Sequence, residues 1–220
     1  MTNPSEALTL PAHQRIAITI EWFSYATLKR VLDLVLSLAV AIVTLPLWVA
    51  IVIAIKLDSP GPVFFKQDRV GLNGRHFRCF KFRSMMVNAE AMLDEMRRRG
   101  DVTGLVFKIR NDPRVTRVGR LLRKSSLDEL PQLINVLKGE MSLVGPRPVI
   151  PAHIKEFQPE DLVRLTVKPG VTCLWALRGR TCGIEQVMTA DREYVLRRSL
   201  WLDVWIMIQT AVVVARGENY

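Results

Sequence analysis

Apolar positions are spread unevenly along this chain, and the densest stretch sets the first problem. "VLDLVLSLAVAIVTLPLWVAIVIAI", Val31 to Ile55, carries a single charge, Asp33, and follows directly on Lys29-Arg30. As one straight helix it would measure roughly 37 Å at about 1.5 Å per residue, enough to cross a hydrocarbon core of about 30 Å. It starts too late and runs too long for a cleavable signal peptide. Pro46 lies well inside the run; it removes a backbone donor and clashes with the preceding turn, so a kink is predicted there. The halves on either side of it are each too short to span alone. Cations flank both ends, with Lys29-Arg30 before the run and Lys56, Lys66 and Arg69 after it. The tendency of such charges to stay on the cytosolic side keeps both ends there. A kinked span and a helix–break–helix hairpin that enters and leaves one leaflet both fit this composition.

After Asp58-Ser59-Pro60-Gly61-Pro62 the pattern changes to period two. β-type residues on either side of Gly71-Leu72-Asn73-Gly74 predict a hairpin, with Lys81 and Arg83 on one face of its second strand and Phe80 and Phe82 on the other. "NAEAMLDEMRRRG" predicts a helix ending at Gly100, and "RVGRLLRKSS" a basic helical stretch. Leu127, Leu130, Leu133, Ile134 and Leu137 form a helical stripe that stops near Gly139. The apolar C-terminal stretch "LWLDVWIMIQTAVVVARG" is interrupted by Asp203 and Gln209, and suits a core helix or an interfacial helix with Trp201 and Trp205 at the headgroups.

Composition sharpens the picture. The 220 residues are 49% hydrophobic yet carry a formal charge of +10, a combination that points to an anionic partner: a membrane surface, a nucleic acid or a phosphorylated substrate. Cys79, Cys173 and Cys182 form no CxxC pair, and His13, His76 and His153 lie far apart, which argues against a zinc site or a disulfide scaffold and suits a reducing compartment.

The candidate chemistry lies in "RKSSLDELPQ", where Asp128 and Glu129 follow the cations Arg123 and Lys124. Ser126-x-x-Glu129 fits a capping box, which accounts for Glu129 alone. Pro131 predicts a helix start close to Asp128, so that the helix dipole and the cations would both lower the carboxyl pKa values. Two such carboxylates can bind a divalent metal or attack phosphorus. Lys81, Arg83, Arg123 and Arg147 are candidate phosphate ligands; prolines in "GPRP" hold Arg147 on a stiff loop, and its planar fork suits phosphate oxygens. A solvated basic surface is the plainer explanation for Arg97, Arg98 and Arg99.

In order along the chain, "KRVLDL", "PGPVFFKQDRVG", "FKFRSM", "SSLDELPQLINVLKGEMSLVGPRP" and "VKPGVTCLWALRGR" resemble the bacterial sugar transferase family, the monotopic phosphoglycosyl transferases. The resemblance covers about Lys29 to Tyr194. It implies an α+β, mostly helical fold: a membrane-embedded re-entrant helix–break–helix hairpin over 29–58, broken at Pro46, and a cytosolic catalytic domain over 59–220 with a small β-hairpin and amphipathic interfacial helices. Residues 1–28 carry no clear motif. Where the family often has Ser before the proline, this chain has Leu45, with Thr44 one step earlier; "TCLWALRGR" also departs from the commoner family pattern.

The resemblance further implies transfer of a sugar-1-phosphate from a UDP-sugar to undecaprenyl phosphate, giving a polyprenyl-diphosphate-sugar and UMP. It matches Asp128 to the nucleophile and Glu129 to a Mg²⁺-binding neighbour. Lys81, Arg123 and Arg147 match phosphate-holding positions, and Arg180 and Asp191 a downstream polar block. The setting would be the bacterial inner membrane, in contact with its lipids, and the apolar segments permit a homodimer. A non-catalytic basic membrane adaptor explains the charge and the anchor but not Asp128-Glu129. A nucleic-acid binder is disfavoured, since no such motif is present.

Overall fold

The computed structural model describes residues 12–99, 109, 112–155, 157–177 and 184–216. The apolar run forms two helices, α1 (Ala12–Val43) and α2 (Leu45–Asp58), which meet at a bend of 61°. Among the described residues no single helix is long and apolar enough to cross a membrane; the bent pair Tyr25–Val43 and Leu45–Asp58 is, taken together. Pro46 occupies the first turn of α2, where its missing N–H breaks no helical bond. The hydroxyl displaced from the usual position is supplied by Thr44. Its Oγ1 donates to Val40 O (2.6 Å) and accepts from Trp48 Nε1 (3.1 Å), so one side chain serves both arms of the bend.

The predicted hairpin forms as β1 (Phe64–Val70) and β2 (His76–Phe82), antiparallel, with Phe64 opposite Phe82 and Phe65 opposite Lys81. Then follow α3 (Ala89–Arg98), α4 (Arg117–Lys124), a 3-10 turn over Leu127–Glu129 and α5 (Gln132–Lys138). Gly139 ends α5 in the left-handed region at φ 83°, the C-terminal signal that its position predicts. A second sheet, not foreseen from the pattern, pairs β3 (Ser142–Val144) in parallel with β4 (Gly170–Thr172), on either side of a short helix α6 (Pro151–Ile154) and a 3-10 segment over Pro159–Thr166. The strands are too short to show a period-two signal. α7 (Ile184–Arg197) and α8 (Leu200–Ala215) complete a mostly helical fold.

Three apolar clusters tie these elements together. Ile51 and Ile55 of α2 pack on Phe82 and Leu122, with Trp48, Leu127 and Leu130 around them. The Trp48 ring meets Phe82 edge-on at 5.2 Å, and Phe64 stacks on Phe82 at 5.5 Å. The bent helix pair thus abuts the turn that carries Asp128 and Glu129. Phe77, Cys79, Val136 and Met141 form a second cluster under the hairpin, and Val144, Leu174, Tyr194, Val195 and Ile206 a third beneath α8.

The polar residues in the apolar segments are spent on the fold. Asp33, the one charge in the run, accepts from Leu143 N (3.0 Å) and Ser142 Oγ (3.1 Å) at the start of β3. Arg30 donates to Val136 O (2.6 Å) and Leu137 O (3.0 Å), carbonyls of the last turn of α5. Asp203, only 1% exposed, receives Lys29 Nζ at 2.8 Å, Tyr25 OH at 3.0 Å and Tyr194 OH at 2.7 Å. α8 buries that face and leaves Trp201 79% exposed. Deleting one partner of a buried ion pair strands the other, at about 3–5 kcal/mol. Asp203→Ala is therefore expected to lose about that much unfolding free energy in detergent; a loss below about 1 kcal/mol would contradict the clasp.

Candidate active site

The capping box does not form. Ser126 adopts a left-handed conformation (φ 56°) and its side chain makes no cap bond, so the dyad sits on a 3-10 turn and α5 starts only after Pro131. Glu129, freed from capping, instead reaches the cations. Its Oε1 accepts from Lys81 Nζ (2.6 Å) and from Arg147 Nη2 (2.9 Å).

Each participant is held by its own element. Asn135, fully buried in α5, accepts from Phe80 N (3.0 Å) and donates to Arg78 O (2.8 Å), which fixes the dyad-bearing segment against β2 and hence against Lys81. The GPRP loop is held through four consecutive carbonyls. Gly170 N donates to Pro146 O, Arg164 Nη2 to Arg147 O, Arg69 Nη1 to Pro148 O and Val70 N to Val149 O, all at 2.8–2.9 Å. Gly145 and Gly170 lie so close that a Cβ on Gly170 would sit 2.1 Å from Gly145 N; only glycine permits the approach. Arg164 in turn is paired with Asp191 at 2.7 Å, both buried. Asp191 therefore stands one layer behind Arg147, and burial pushes its pKa up to about 6 against the pull of Arg164.

Asp128 has no hydrogen bond among the described residues. It lines a cavity of about 510 Å³ together with Lys81, Arg83, Arg123, Arg69 and Phe82. Arg123 Nη1 is buried without a hydrogen-bond partner among the described residues. A buried donor left unsatisfied costs about 1–3 kcal/mol. Arg83 borders the same cavity, but its guanidinium donates to Ser59 O (2.7 Å) and to Pro60 O, holding the turn after α2. Glu129 and Arg147 face a second cavity of about 240 Å³, bordered by Leu130, Leu133, Val213 and Val214. Arg180 lies outside the described residues.

The two neighbouring carboxyls diverge electrostatically, which corrects the expectation that both pKa values are lowered. Burial alone would raise Glu129, but Arg147 and Lys81 overcome it and hold the carboxyl well below the usual range. For Asp128 burial prevails over Lys81, and the adjacent Glu129 adds to the rise. Charge is thus concentrated on Glu129, while Asp128 is the more basic of the two and the stronger nucleophile once ionised.

Among the described residues no cluster of three metal-ligating side chains occurs. Glu129 Oε1 is taken by two cations, so a divalent ion here would rest on the remaining carboxylate oxygens and draw most of its ligands from phosphate and water. That ligand mix suits Mg²⁺.

Residues 24–217 match the family described as bacterial sugar transferase. The chain belongs to the bacterial sugar transferase family. It is 42% identical over 210 residues to the UDP-galactose-lipid carrier transferase of Erwinia amylovora, covering 93% of this chain and 44% of that protein. It is 41% identical over 200 residues to the UDP-glucose:undecaprenyl-phosphate glucose-1-phosphate transferase of Caulobacter vibrioides, covering 87% and 71% respectively. To the exopolysaccharide production protein ExoY of Rhizobium meliloti it is 39% identical over 197 residues, 86% of this chain and 87% of that protein. The chain thus spans less than half of the Erwinia relative and most of the other two.

Within this member of the family, Arg164, Asn135 and Arg69 support the site without having stood out as site residues in the sequence; each contributes by bonding backbone, which no side-chain motif records. The depressed Glu129 carboxyl sets a pH signature. Its stabilisation is fully present above its ordinary value of 4.5 and is lost as pH falls toward the lowered folded value. Unfolding free energy, followed from neutral pH down to about pH 3, should therefore decline more steeply in wild type than in Glu129→Gln, which starts less stable and lacks this dependence. Parallel curves would contradict the assigned ionisation.

Proposed function

We propose that this chain transfers a sugar-1-phosphate from a UDP-sugar to undecaprenyl phosphate in two displacements at Asp128. The observation that carries the proposal is the division of labour in the dyad: Glu129 Oε1 is occupied by Lys81 and Arg147, while Asp128, without a hydrogen bond among the described residues, borders a cavity that Arg123 also lines. The names of the Erwinia and Caulobacter relatives supply the donor and acceptor classes.

In the first step an Asp128 carboxylate oxygen attacks the sugar-bearing phosphorus. The bond from that phosphorus to the bridging oxygen breaks, and UMP leaves with the electron pair. In the second step a phosphate oxygen of the lipid attacks the same phosphorus and releases Asp128. Splitting one transfer into two displacements at a single carboxylate gives ping-pong behaviour. Lys81, Arg123 and Arg147 hold phosphate oxygens and offset the charge that gathers as the bridging oxygen departs. Glu129 keeps Lys81 and Arg147 in place, and its other carboxylate oxygen would help hold a Mg²⁺ ion, which would supply charge neutralisation of the diphosphate. The second cavity, apolar and continuous with α8, gives the prenyl chain a path from the lipid layer to the dyad.

The bent pair is read as a re-entrant hairpin in one leaflet of the bacterial inner membrane, with the body of the protein in the cytosol. The 61° bend supports this, as do the exposed apolar sides of both arms, among them Val35, Ile42, Val49 and Ile53. So does the basic charge at both ends.

Two experiments test these readings. Supplied with a panel of UDP-sugars, undecaprenyl phosphate and Mg²⁺ in detergent, wild type is expected to release UMP with at least one donor. Asp128→Asn should reduce that release by at least about a thousandfold, as loss of a covalent nucleophile does. Near-normal turnover by the variant would remove Asp128 from the chemistry. Cysteine probes placed before Lys29 and after Lys56 should both label from the cytosolic side; labelling from opposite sides would replace the hairpin by a span.

A further inference from the structure

A third cavity, of about 270 Å³, lies beside the start of the apolar run and shares no lining residue with the two cavities at the dyad. Lys29, Arg30, Lys168 and Arg198 border it, and Asp33 is the one carboxylate among its lining residues. Asp33 is already engaged by Ser142 and Leu143, and Lys29 is neutralised by Asp203. Among the described residues Arg30 donates to two backbone carbonyls and forms no ion pair. Lys168 has no hydrogen-bond or ion-pair partner among the described residues. The two cations converge: a methyl group on Gly139 would lie 3.5 Å from Arg30 Nη2 and 3.7 Å from Lys168 Nζ. Burial, then the proximity of Arg30, lower the Lys168 pKa against the pull of Asp33.

The surroundings indicate what that counter-ion is. Two exposed apolar faces begin immediately beyond this cavity. Arg30 is followed by Val31, 50% exposed on α1, and Arg198 is followed three residues later by Trp201, 79% exposed on α8. Both helices therefore carry exposed apolar faces just beyond the cavity, and in the membrane placement argued above the cavity would sit where water, headgroups and hydrocarbon meet. Arginine and lysine at that level attract lipid phosphates, and an exposed tryptophan is at home there. The space admits a phosphodiester headgroup but not acyl chains, which the neighbouring helix faces would receive.

We propose that this cavity binds the phosphate of an anionic membrane lipid, with Lys168 and Arg30 as its principal ligands. The inference rests on the membrane placement argued above, but not on the reaction. The bound phosphate would join the chain entering α1, the Lys168–Gly170 segment and the start of α8, and so brace the body of the enzyme against the bilayer.

The test uses the full chain in a neutral detergent, titrated with short-chain phosphatidylglycerol, phosphatidylcholine or inorganic phosphate while thermal stability is read. Phosphatidylglycerol should stabilise wild type saturably, and phosphatidylcholine should not. Lys168→Gln, a change at a half-buried side chain with no partner to strand, should weaken the apparent affinity about fivefold, and Lys168→Arg should restore it. Lys155→Gln, an equal loss of charge at an exposed position outside the cavity, should leave the affinity unchanged. Equal affinity in wild type and Lys168→Gln, or an equal response to phosphatidylcholine, would overturn the site. Inorganic phosphate that matches phosphatidylglycerol would overturn the lipid assignment. UMP release measured on the same samples separates the two claims: a preparation that turns over without a phosphatidylglycerol response overturns the site alone. One that responds without turning over upholds the site and refutes the reaction.

Discussion

Glu129 Oε1 accepts from Lys81 and Arg147 at once, and this double contact is what the rest of the site depends on. It joins three segments distant in sequence: β2, the turn after α4 and the GPRP loop. The side chains of Glu129 and Lys81 are 16% and 19% exposed, so the pair is shielded enough for charge to matter, while Arg147 at 38% keeps contact with solvent. Partial burial of charges is costly unless their geometry is satisfied. Here Asn135 fixes one side of the contact and four backbone bonds to the loop fix the other. With Glu129 thus occupied, Asp128 alone is left to meet a substrate, and its raised pKa makes it the better nucleophile of the two.

A parallel logic governs the apolar part of the molecule. Polar groups within or beside the hydrophobic helices are directed inward, to partners that need them: Asp33 to β3, Arg30 to the end of α5, Lys29 to Asp203. Thr44 satisfies the bend, and Trp48 carries its position to Phe82 and from there to the turn holding the dyad. The hydrophobic anchor and the reactive turn therefore share one packed cluster. The position of the bent helix pair and that of the dyad-bearing turn are thereby fixed relative to one another.

Much of this was legible in residue order. The β-hairpin, the break at Pro46, the end of α5 at Gly139 and the stiffness of the GPRP loop all follow from local chemistry: period two, a missing donor, a permissive glycine and paired prolines. The failures have equally definite causes. The spacing at Ser126 also fits a capping box, the rival to a site; spacing does not reveal that Ser126 turns left-handed or that Glu129 bonds Lys81. A lowered Asp128 pKa followed from counting nearby cations; burial, which outweighs them, is a property of packing. Arg83 was read as a phosphate ligand from its strand face, while in the fold its guanidinium is bonded to the carbonyls of Ser59 and Pro60. The parallel β3–β4 pair spans three residues on each strand and leaves no periodic trace.

The central claim is that Asp128 carries the sugar phosphate between donor and acceptor. It is tested most directly by mass spectrometry of the intact chain after mixing with its UDP-sugar in the absence of lipid phosphate. The account predicts a gain equal to one sugar phosphate, located on the peptide that contains Asp128, discharged when undecaprenyl phosphate is added and never formed by Asp128→Asn. Steady transfer to the lipid with no adduct at any time point, or an adduct on another residue, would contradict it.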